Sequence, residues 1–390
     1  MRYGTARILH AQVGAYPIQG LRVELQNGRA EERTGCALRV PCPRKAQYAT
    51  RFGFRSSAFG FAQRVGTHPI YGQCEEGILG AYQAVSEPLV SIIIRSFNEG
   101  WALRDTLPAL RAQDYTNWEL IAIDSGSTDG SVELLDRMAP RHLIRLSPEE
   151  YNPGRVLNRG MALARSHLGI FLNADATPQG PNWLRPLVAG LSKPGVAAVF
   201  GRQVPRPDCC AAFSHDYERC FGPERESAGW PHFFSMASSG IRKDIWLERG
   251  FNERLQYSED DEYTRWCVAR GYRIVYEPDS VVMHSHNYTL PQVWRRGFGE
   301  GKSLAAVWPR FSSNDWTWLR TVALGWAADA WRDFRYCRRK GRLGEWPATM
   351  RIRWTQRRAR WAGFYAGWSE YRAPAGESLA LPPVWASPLR

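Results

Sequence analysis

Short apolar segments alternate with longer segments of helical periodicity, and this alternation constrains the fold more than any other feature of the sequence. The apolar segments span residues 89–94, 119–124, 142–146, 169–172 and 196–200, and helical patterns lie near residues 101–113, 129–138, 155–167 and 181–191. Short, almost wholly apolar runs are typical of strands that are buried on both faces. The alternation therefore predicts an α/β domain whose parallel or mixed sheet is covered by helices on both faces.

The character of the sequence changes at both ends of this alternating region. Residues 1–87 are rich in Gly and Arg with short apolar runs, which predicts an N-terminal extension of strands and loops whose residues indicate no function. Residues 291–390 carry Trp- and Arg-rich helical patterns, which predict a C-terminal helical appendage. A chain of 390 residues exceeds the usual length of one domain. We therefore predict a main domain over residues 88–290 with one flanking region at each end.

Charge and cysteine content limit the binding partners and the cellular compartment that are expected for the chain. The 51 Lys and Arg residues outnumber the 38 Asp and Glu residues, so the surface should attract anions. The cysteines have no zinc-ligand spacing, and no signature of a nucleic-acid-binding module accompanies the charge. The sequence contains neither the roughly 18–20 consecutive apolar residues of a membrane span nor a secretion signal. We expect a cytoplasmic protein that does not bind nucleic acid.

Polar residues follow three of the predicted strands directly, at residues 95–99, 124–129 and 173–175. In sheets of this class, ligands bind beyond the carboxyl ends of the strands. Asp124 is suited to accept hydrogen bonds from a base or a ribose, whereas Ser127 to Asp129 are equally suited to capping the next helix. The first strand is not followed by Gly-x-Gly-x-x-Gly, which argues against a dinucleotide-dependent dehydrogenase.

Four consecutive acids, Glu259 to Glu262, stand at the start of a predicted helix. The positive end of the helix dipole stabilises acids at this position, which is a sufficient structural explanation. Crowded carboxylates also repel one another and raise the pKa of one member, which suits a general base. His284 and His286 follow the last predicted strand.

Two of these segments resemble the opening of the glycosyltransferase family 2 catalytic domain, which has the GT-A fold. The family's first strand usually runs into Pro-x-Tyr-Asn-Glu, and its second runs into an Asp and then Ser-x-Asp-Gly. The corresponding segments here are Arg95-Ser96-Phe97-Asn98-Glu99 and Asp124-Ser125-Gly126-Ser127-Thr128-Asp129-Gly130. Arg95 replaces the family's Pro, which resembles the branch containing bacterial rhamnosyltransferases. The resemblance covers roughly residues 88–310 and leaves the first 87 residues unexplained.

The resemblance implies roles for individual residues. Asn173-Ala174-Asp175 stands where the family commonly has Asp-x-Asp, so Asp175 is the expected ligand of Mn²⁺ or Mg²⁺. His284, or alternatively His286, is the expected late metal ligand. The Glu259-Asp260 pair matches the family's acid pair, which makes Asp260 the expected catalytic base, with Glu259 and Asp261 as the alternatives. The expected nucleotide and donor contacts are Arg95, Phe97, Asn98, Glu99, Asp124, Ser125, Arg155, Asn158, Asn173 and Ala174.

The resemblance also implies an activity. It is the metal-dependent, inverting transfer of a sugar from a nucleotide-sugar to a hydroxyl of a glycan or lipid-linked acceptor, in the synthesis of a cell-surface polysaccharide. The rhamnosyltransferase-like segments make dTDP-rhamnose the first expectation for the donor and UDP-hexoses the second. Asn173 in place of an acid motivates an alternative, a catalytically inactive nucleotide-sugar-binding or scaffold protein.

Aromatic rings and positive charges interleave in the C-terminal region. These residues are Trp294, Arg295, Arg296, Trp308, Trp316, Trp318, Arg320, Trp326, Trp331, Arg332, Arg335, Arg338, Arg339 and Lys340. Such a composition suits a helix at an anionic bilayer surface, which predicts peripheral attachment to the cytoplasmic face of a membrane. The alternative is that the Trp side chains pack the appendage onto the main domain while the Arg side chains solubilise its outside.

Overall fold

The strands and helices of the first half form where the apolar pattern predicts them. The computed structural model describes residues 87–307 and 317–371, and the predicted N-terminal extension lies outside these residues as far as residue 86. The elements are β1 (Val90–Ser96), α1 (Gly100–Arg111), β2 (Trp118–Asp124), α2 (Ser131–Asp136), β3 (His142–Arg145), α3 (Pro153–Leu163) and β4 (Leu168–Asn173). These strands pair in parallel in the order β3-β2-β1-β4, which confirms the predicted alternation.

The second half of the sheet is mixed. Its elements are β5 (Thr177–Pro178), α4 (Leu184–Leu191), β6 (Val196–Val204), α5 (Ala211–Phe221), β7 (Ser238–Arg242), α6 (Lys243–Glu248), α7 (Glu259–Ala269) and β8 (Arg273–Met283). Strand β7 runs antiparallel between β4 and β6, and the complete order is β3-β2-β1-β4-β7-β6-β8-β5. The apolar pattern missed β7 because three of its four buried residues, Ser238, Ser239 and Gly240, are small and not strongly apolar. A Cβ on Gly240 would lie 2.7 Å from Leu191 and 2.8 Å from Ile170, so no larger side chain fits.

Helices cover both faces of the sheet, as predicted. Alternate residues of β1 enter different cores: Ile93 packs with Leu157 of α3, whereas Ile92 and Ile94 pack with Leu103 of α1. This two-sided burial explains why the strands are almost continuously apolar. It also fixes the carboxyl ends of β1, β2 and β4 at one edge of the sheet, where the polar segments follow.

The described part of the C-terminal region is helical, as predicted. It contains α8 (Leu290–Val307), a π-helical segment (Leu319–Leu324), α9 (Gly325–Arg339) and α10 (Trp346–Tyr371). Helices α8 and α10 pack backbone to backbone: a Cβ on Gly301 would lie 2.1 Å from the Arg360 carbonyl oxygen. All described residues fall in one compact unit. No helix among the described residues is long and apolar enough to cross a membrane.

Candidate active site at the carboxyl edge of the sheet

The loops after β1 and β2 are tied together by their own side chains. Asn98 has a left-handed backbone, with φ of 54°, and its backbone N–H donates to Ser127 Oγ at 2.8 Å. Its side-chain oxygen accepts from the Thr128 N–H at 2.9 Å. Asp129 accepts from the N–H of Gly100 at the start of α1. Asn98 and Asp129 therefore shape the edge of the sheet from within the loops.

Asp124 ends β2, and its carboxylate holds its own loop. One oxygen accepts from the Gly126 and Ser127 N–H groups at 3.0 and 2.8 Å, and the other accepts from Ser127 Oγ at 2.6 Å. Asp129 meets the helix-capping expectation, because its carboxylate accepts from the Ser131 N–H at 3.1 Å at the start of α2. The Ser127 hydroxyl bonds within the two loops, donating to Asp124 and accepting from the Asn98 N–H.

A cavity of about 360 Å³ opens beside these loops, and we call it the edge cavity. It is lined by Arg95, Ser96, Phe97, Glu99, Ser125, Pro148, Tyr151 and Asn173. Phe97 is 51% exposed, so its ring offers a flat apolar surface at the mouth. The expected donor contacts Arg95, Phe97, Glu99, Ser125 and Asn173 thus converge here.

Five of the ten expected donor contacts do not line this cavity. Asn98 and Asp124 hold the loops described above, and the other three lie elsewhere. Asn158 is buried in α3, where its amide donates to Phe251 O and Glu253 and accepts from Trp246 Nε1 and the Phe251 N–H. All its bonds are thus made within the protein, which gives Asn158 a structural role. Arg155 is exposed and lies 3.2 Å from Glu253. Ala174 is buried and donates its N–H to the Arg95 carbonyl.

A second cavity of about 490 Å³ extends from the end of β4 to the start of α7, and we call it the deep cavity. Glu259, Asp260, Asp261, His284 and His286 all line it. Arg95, Tyr151 and Asn173 line both cavities and so form their shared boundary. The residues predicted to bind the nucleotide therefore line the edge cavity, and the predicted base and histidine ligands line the deep cavity on the other side of this boundary.

Asp175, His284 and His286 converge beyond β4 and β8. The Nε2 atoms of His284 and His286 lie 3.5 and 3.4 Å from the two carboxylate oxygens of Asp175, and one ligand atom of each residue lies within 4.8 Å of the others. Asp175 is 1% exposed, yet neither of its carboxylate oxygens has a hydrogen-bond partner among the described residues. Such a carboxylate is costly to bury without a compensating charge.

The two histidines are set up as neutral ligands. His284 Nδ1 donates to Gln203 Oε1 at 2.8 Å, which leaves the lone pair of Nε2 directed at Asp175. Burial lowers the pKa of His284, and burial together with the neighbouring His284 lowers the pKa of His286 to about 4. Two neutral imidazoles cannot neutralise the Asp175 carboxylate. The donor set therefore fits a divalent cation, and Gln203 would orient one of its ligands from outside the coordination shell.

The acids of the first turn of α7 have different surroundings. Asp260 is half-buried at the deep cavity, and burial raises its pKa. Asp261 is 4% exposed and lies 3.5 Å from His232, and burial raises its pKa well above the ordinary value. Burial and the neighbouring Asp260 raise the pKa of Glu259 to about 7, although Arg95 opposes this shift.

Arg95 links the end of the sheet to this acidic turn. Its Cα pairs with that of Asn173 across β1 and β4, and its Nε donates to Asn173 Oδ1 at 3.0 Å. Its Nη1 also lies 3.6 Å from Glu259. The two departures from the family pattern, Arg for Pro and Asn for Asp, are thus in direct contact.

Comparison with known proteins identifies the family. The sequence model described as glycosyl transferase family 2 matches residues 91–265. The O-antigen chain rhamnosyltransferase WbaN of Salmonella anatum is 30% identical over 226 residues, which cover 55% of this chain and 71% of the relative. RfbN of Salmonella typhimurium, also an O-antigen chain rhamnosyltransferase, is 29% identical over 225 residues, covering 54% and 71%. This chain belongs to glycosyltransferase family 2.

A solved structure confirms the GT-A fold of this glycosyltransferase. The mannosyltransferase PcManGT of Pyrobaculum calidifontis, solved with GDP-Man and Mn²⁺, aligns with a TM-score of 0.52 at 19% identity. The alignment covers 73% of this chain and 88% of that chain. At this identity the likeness concerns the fold alone.

The C-terminal region of the glycosyltransferase contributes to the deep cavity, which the sequence analysis did not foresee. Both alternatives for the C-terminal region place Arg296 of α8 on the outside, at lipid or in solvent. It lines the cavity instead, donating to Tyr288 Oη at 3.2 Å and to Glu300 at 2.8 Å. The glycines of α8 are the sequence feature that indicates a close approach of this helix to other parts of the protein. A Cβ on Gly299 would lie 2.2 Å from the ring of Tyr257, so this helix must approach the site closely.

Proposed function

We propose that this glycosyltransferase moves a sugar from a nucleotide-sugar to an acceptor hydroxyl with inversion at the anomeric carbon. The observation that carries the proposal is the buried Asp175 carboxylate, which lacks a hydrogen-bond partner among the described residues and faces two neutral histidines. The same two histidines line the deep cavity together with Asp260. A cation site and a carboxylate base at one cavity are the groups that this reaction requires.

In the proposed arrangement, the nucleotide occupies the edge cavity. Phe97 offers a ring for stacking, and Ser125 and the Glu99 carboxyl offer polar contacts. The diphosphate then lies at the boundary that Arg95 and Asn173 form between the two cavities. A divalent cation, Mn²⁺ or Mg²⁺, held by Asp175, His284 and His286 would supply Lewis-acid neutralisation of the leaving diphosphate.

Asp260 is the proposed base. Its carboxylate accepts the proton of the acceptor hydroxyl while the hydroxyl oxygen forms a bond to the anomeric carbon. The bond from that carbon to the diphosphate breaks on the opposite face, and its electron pair leaves with the phosphate oxygen. Asp260 is preferred over Asp261 because Asp261 is more deeply buried and its pKa is raised well above the ordinary value.

The proposed donor is dTDP-rhamnose, with UDP-hexoses as the second choice, because WbaN and RfbN are both named rhamnosyltransferases. The proposed acceptor is a hydroxyl of a glycan or lipid-linked saccharide in the synthesis of a cell-surface polysaccharide. We also propose that the protein works in the cytoplasm at the surface of the membrane, since the excess of cations favours an anionic surface.

A nucleotide-sugar panel tests the proposed function. Each candidate donor is incubated with the full chain and Mn²⁺, and both donor hydrolysis and the thermal shift of the protein are measured. Hydrolysis of dTDP-rhamnose above that of other donors is the expected result. NMR of the product formed on a saccharide acceptor then gives the anomeric configuration, and retention would contradict the inverting reaction.

The alternative of an inactive nucleotide-sugar-binding or scaffold protein keeps one supporting observation. Asn173 replaces an acid, and its oxygen already accepts a hydrogen bond from Arg95. Thermal stabilisation by a nucleotide-sugar without hydrolysis or transfer, in the presence of either metal, would favour this alternative.

A further inference from the structure

The outer side of α9 and the π-helical segment before it carries an exposed apolar strip. Leu324 and Trp331 are each 61% exposed, and Ala327 and Ala328 are exposed between them. Their spacing of three to four residues places them on one face of the helix. Large exposed apolar side chains grouped on one face mark interaction surfaces more often than isolated ones do.

Positive charges stand at both ends of this strip. Arg320 is exposed before it, and Arg335 and Arg338 are exposed after it, at the same helical spacing. We call Arg320, Leu324, Ala327, Ala328, Trp331, Arg335 and Arg338 the α9 face. Arg339 is excluded from the face because it pairs with Glu218 at 2.7 Å.

The acids of this segment point the other way. Residues 317–340 contain two acids, Asp329 and Asp333, and both are buried. Asp329 accepts from Arg357 at 2.7 Å, and Asp333 accepts from Arg353 at 2.8 Å. The two acids therefore face the interior of the protein, and the exposed side chains of α9 are apolar or positively charged.

We propose that the α9 face rests on an anionic lipid bilayer and that Trp331 and Leu324 enter the headgroup region. The inference deepens the proposed peripheral position and does not depend on the sugar transferred. An apolar strip flanked by cations is the composition of helices that lie in a membrane interface. A nucleic-acid phosphate surface would match the arginines but has no counterpart for the apolar centre.

The α9 face contains only some of the Trp and Arg residues that the sequence predicts to contact the membrane. Trp326 is half-buried and its Nε1 donates to Met350 O at 3.0 Å, so it packs inside the helical region. Arg358 stacks over Trp294 at 5.7 Å. Arg296 lines the deep cavity. These residues contact other parts of the protein.

Vesicle flotation with the full chain tests the proposal. Wild-type protein should float with vesicles containing phosphatidylglycerol, should not float with pure phosphatidylcholine vesicles, and should be released by high salt. Arg335→Glu with Arg338→Glu should weaken binding about thirtyfold or more, since each basic residue near an anionic leaflet contributes roughly fivefold in affinity. Leu324→Ser with Trp331→Ser should weaken binding by at least tenfold.

The matched control is Arg104→Glu with Arg137→Glu, which changes net charge equally at exposed positions of α1 and the end of α2. It should retain most of the binding. If wild type fails to float with anionic vesicles at low salt, the membrane position is wrong. If both α9-face variants float like wild type, the assigned face is wrong. If the charge reversals abolish binding to single-stranded RNA and leave flotation unchanged, the partner is a nucleic acid.

Donor hydrolysis in the absence of vesicles separates this proposal from the proposed function. The α9-face variants should hydrolyse the donor at the wild-type rate, because their side chains are outside both cavities. A wild-type protein that floats but hydrolyses no donor would contradict the catalytic proposal and leave the membrane face supported.

Discussion

Buried charges are treated differently at the edge of the sheet and in the C-terminal helices. At the sheet edge, both oxygens of Asp175 and one oxygen of Asp261 lack a hydrogen-bond partner among the described residues. In the helices, the buried Asp329 and Asp333 are held by Arg357 and Arg353 at hydrogen-bond distance. The buried acids between the helices thus have hydrogen-bonded arginine partners, whereas buried acids at the candidate site have carboxylate oxygens without a hydrogen-bond partner among the described residues.

Buried acids of the two regions have pKa shifts of opposite sign. Burial and the neighbouring Asp175 raise the pKa of Glu99 to about 8, and the pKa of Glu259 is raised to about 7. Burial acts in the same direction on Asp333, but Arg353 and His215 overcome it and hold its pKa below the ordinary value. These opposite shifts indicate that the charge partners of a buried acid, and not burial alone, set the direction of its pKa shift.

The largest effect should come from removing the metal. Excess EDTA should abolish sugar transfer, and Mn²⁺ or Mg²⁺ should restore it, because Lewis-acid stabilisation of the diphosphate is worth several kcal/mol. The measurement is product formation after chelation and metal addition, with Ca²⁺ as a comparison ion. Full activity in EDTA would show that the open carboxylate of Asp175 serves another purpose.

Asp260→Asn should lower turnover by about 10² to 10⁴ while nucleotide binding stays within a few-fold of wild type, since general-base help is worth this much. Steady-state kinetics and nucleotide titration measure the two quantities. Asp261→Asn is the matched control on the same turn of α7. If Asp261→Asn rather than Asp260→Asn stopped turnover, the base would be the more deeply buried acid.

Arg353→Met should lower the free energy of unfolding by about 3–5 kcal/mol, because it leaves Asp216 and Asp333 buried without their guanidinium. Urea denaturation measures this, and Arg351→Met, at an exposed position of the same helix, is the control. Asp175→Asn should not lower the free energy of unfolding, because it removes a charge that has no partner to lose. Equal destabilisation by Arg353→Met and Asp175→Asn would remove the distinction between the two regions.

The smallest effect should come from restoring the family's acid. Asn173→Asp should change Mn²⁺ affinity by less than about tenfold, because Arg95 would pair with the new carboxylate. Combining it with Arg95→Met should give a larger gain than the separate changes predict, since contacting residues couple by about 0.5–3 kcal/mol. Titration of Mn²⁺ into each variant, followed by electron paramagnetic resonance, measures this. Additive effects would show that Arg95 and Asn173 act independently.

Much of the fold was readable from the sequence because its signals are local. The apolar runs predicted β1 to β4 and β6, and the family resemblance predicted the GT-A fold. The segments at residues 95–99, 173–175, 259–262 and 284–286 were predicted to form one site, and the structure brings their side chains to two adjoining cavities. The metal and base assignments among them remain predictions.

Other features were decided by contacts between distant parts of the chain. The sequence could not show that the Asn158 amide is satisfied by Phe251 and Trp246, or that Gln203 lies within hydrogen-bond distance of His284. The apolar pattern did not predict β7, because Ser238, Ser239 and Gly240 give this buried strand no run of apolar side chains.

By itself, the sequence determined the strand alternation and the polar segments at the strand ends, because both depend on neighbouring residues. The tertiary structure alone decided which arginines became interior. Arg353 is buried only because Asp216, 137 residues earlier, and Asp333 meet it between α5, α9 and α10. A guanidinium is charged in any sequence, and whether it faces water, lipid or a carboxylate depends on what the fold places against it.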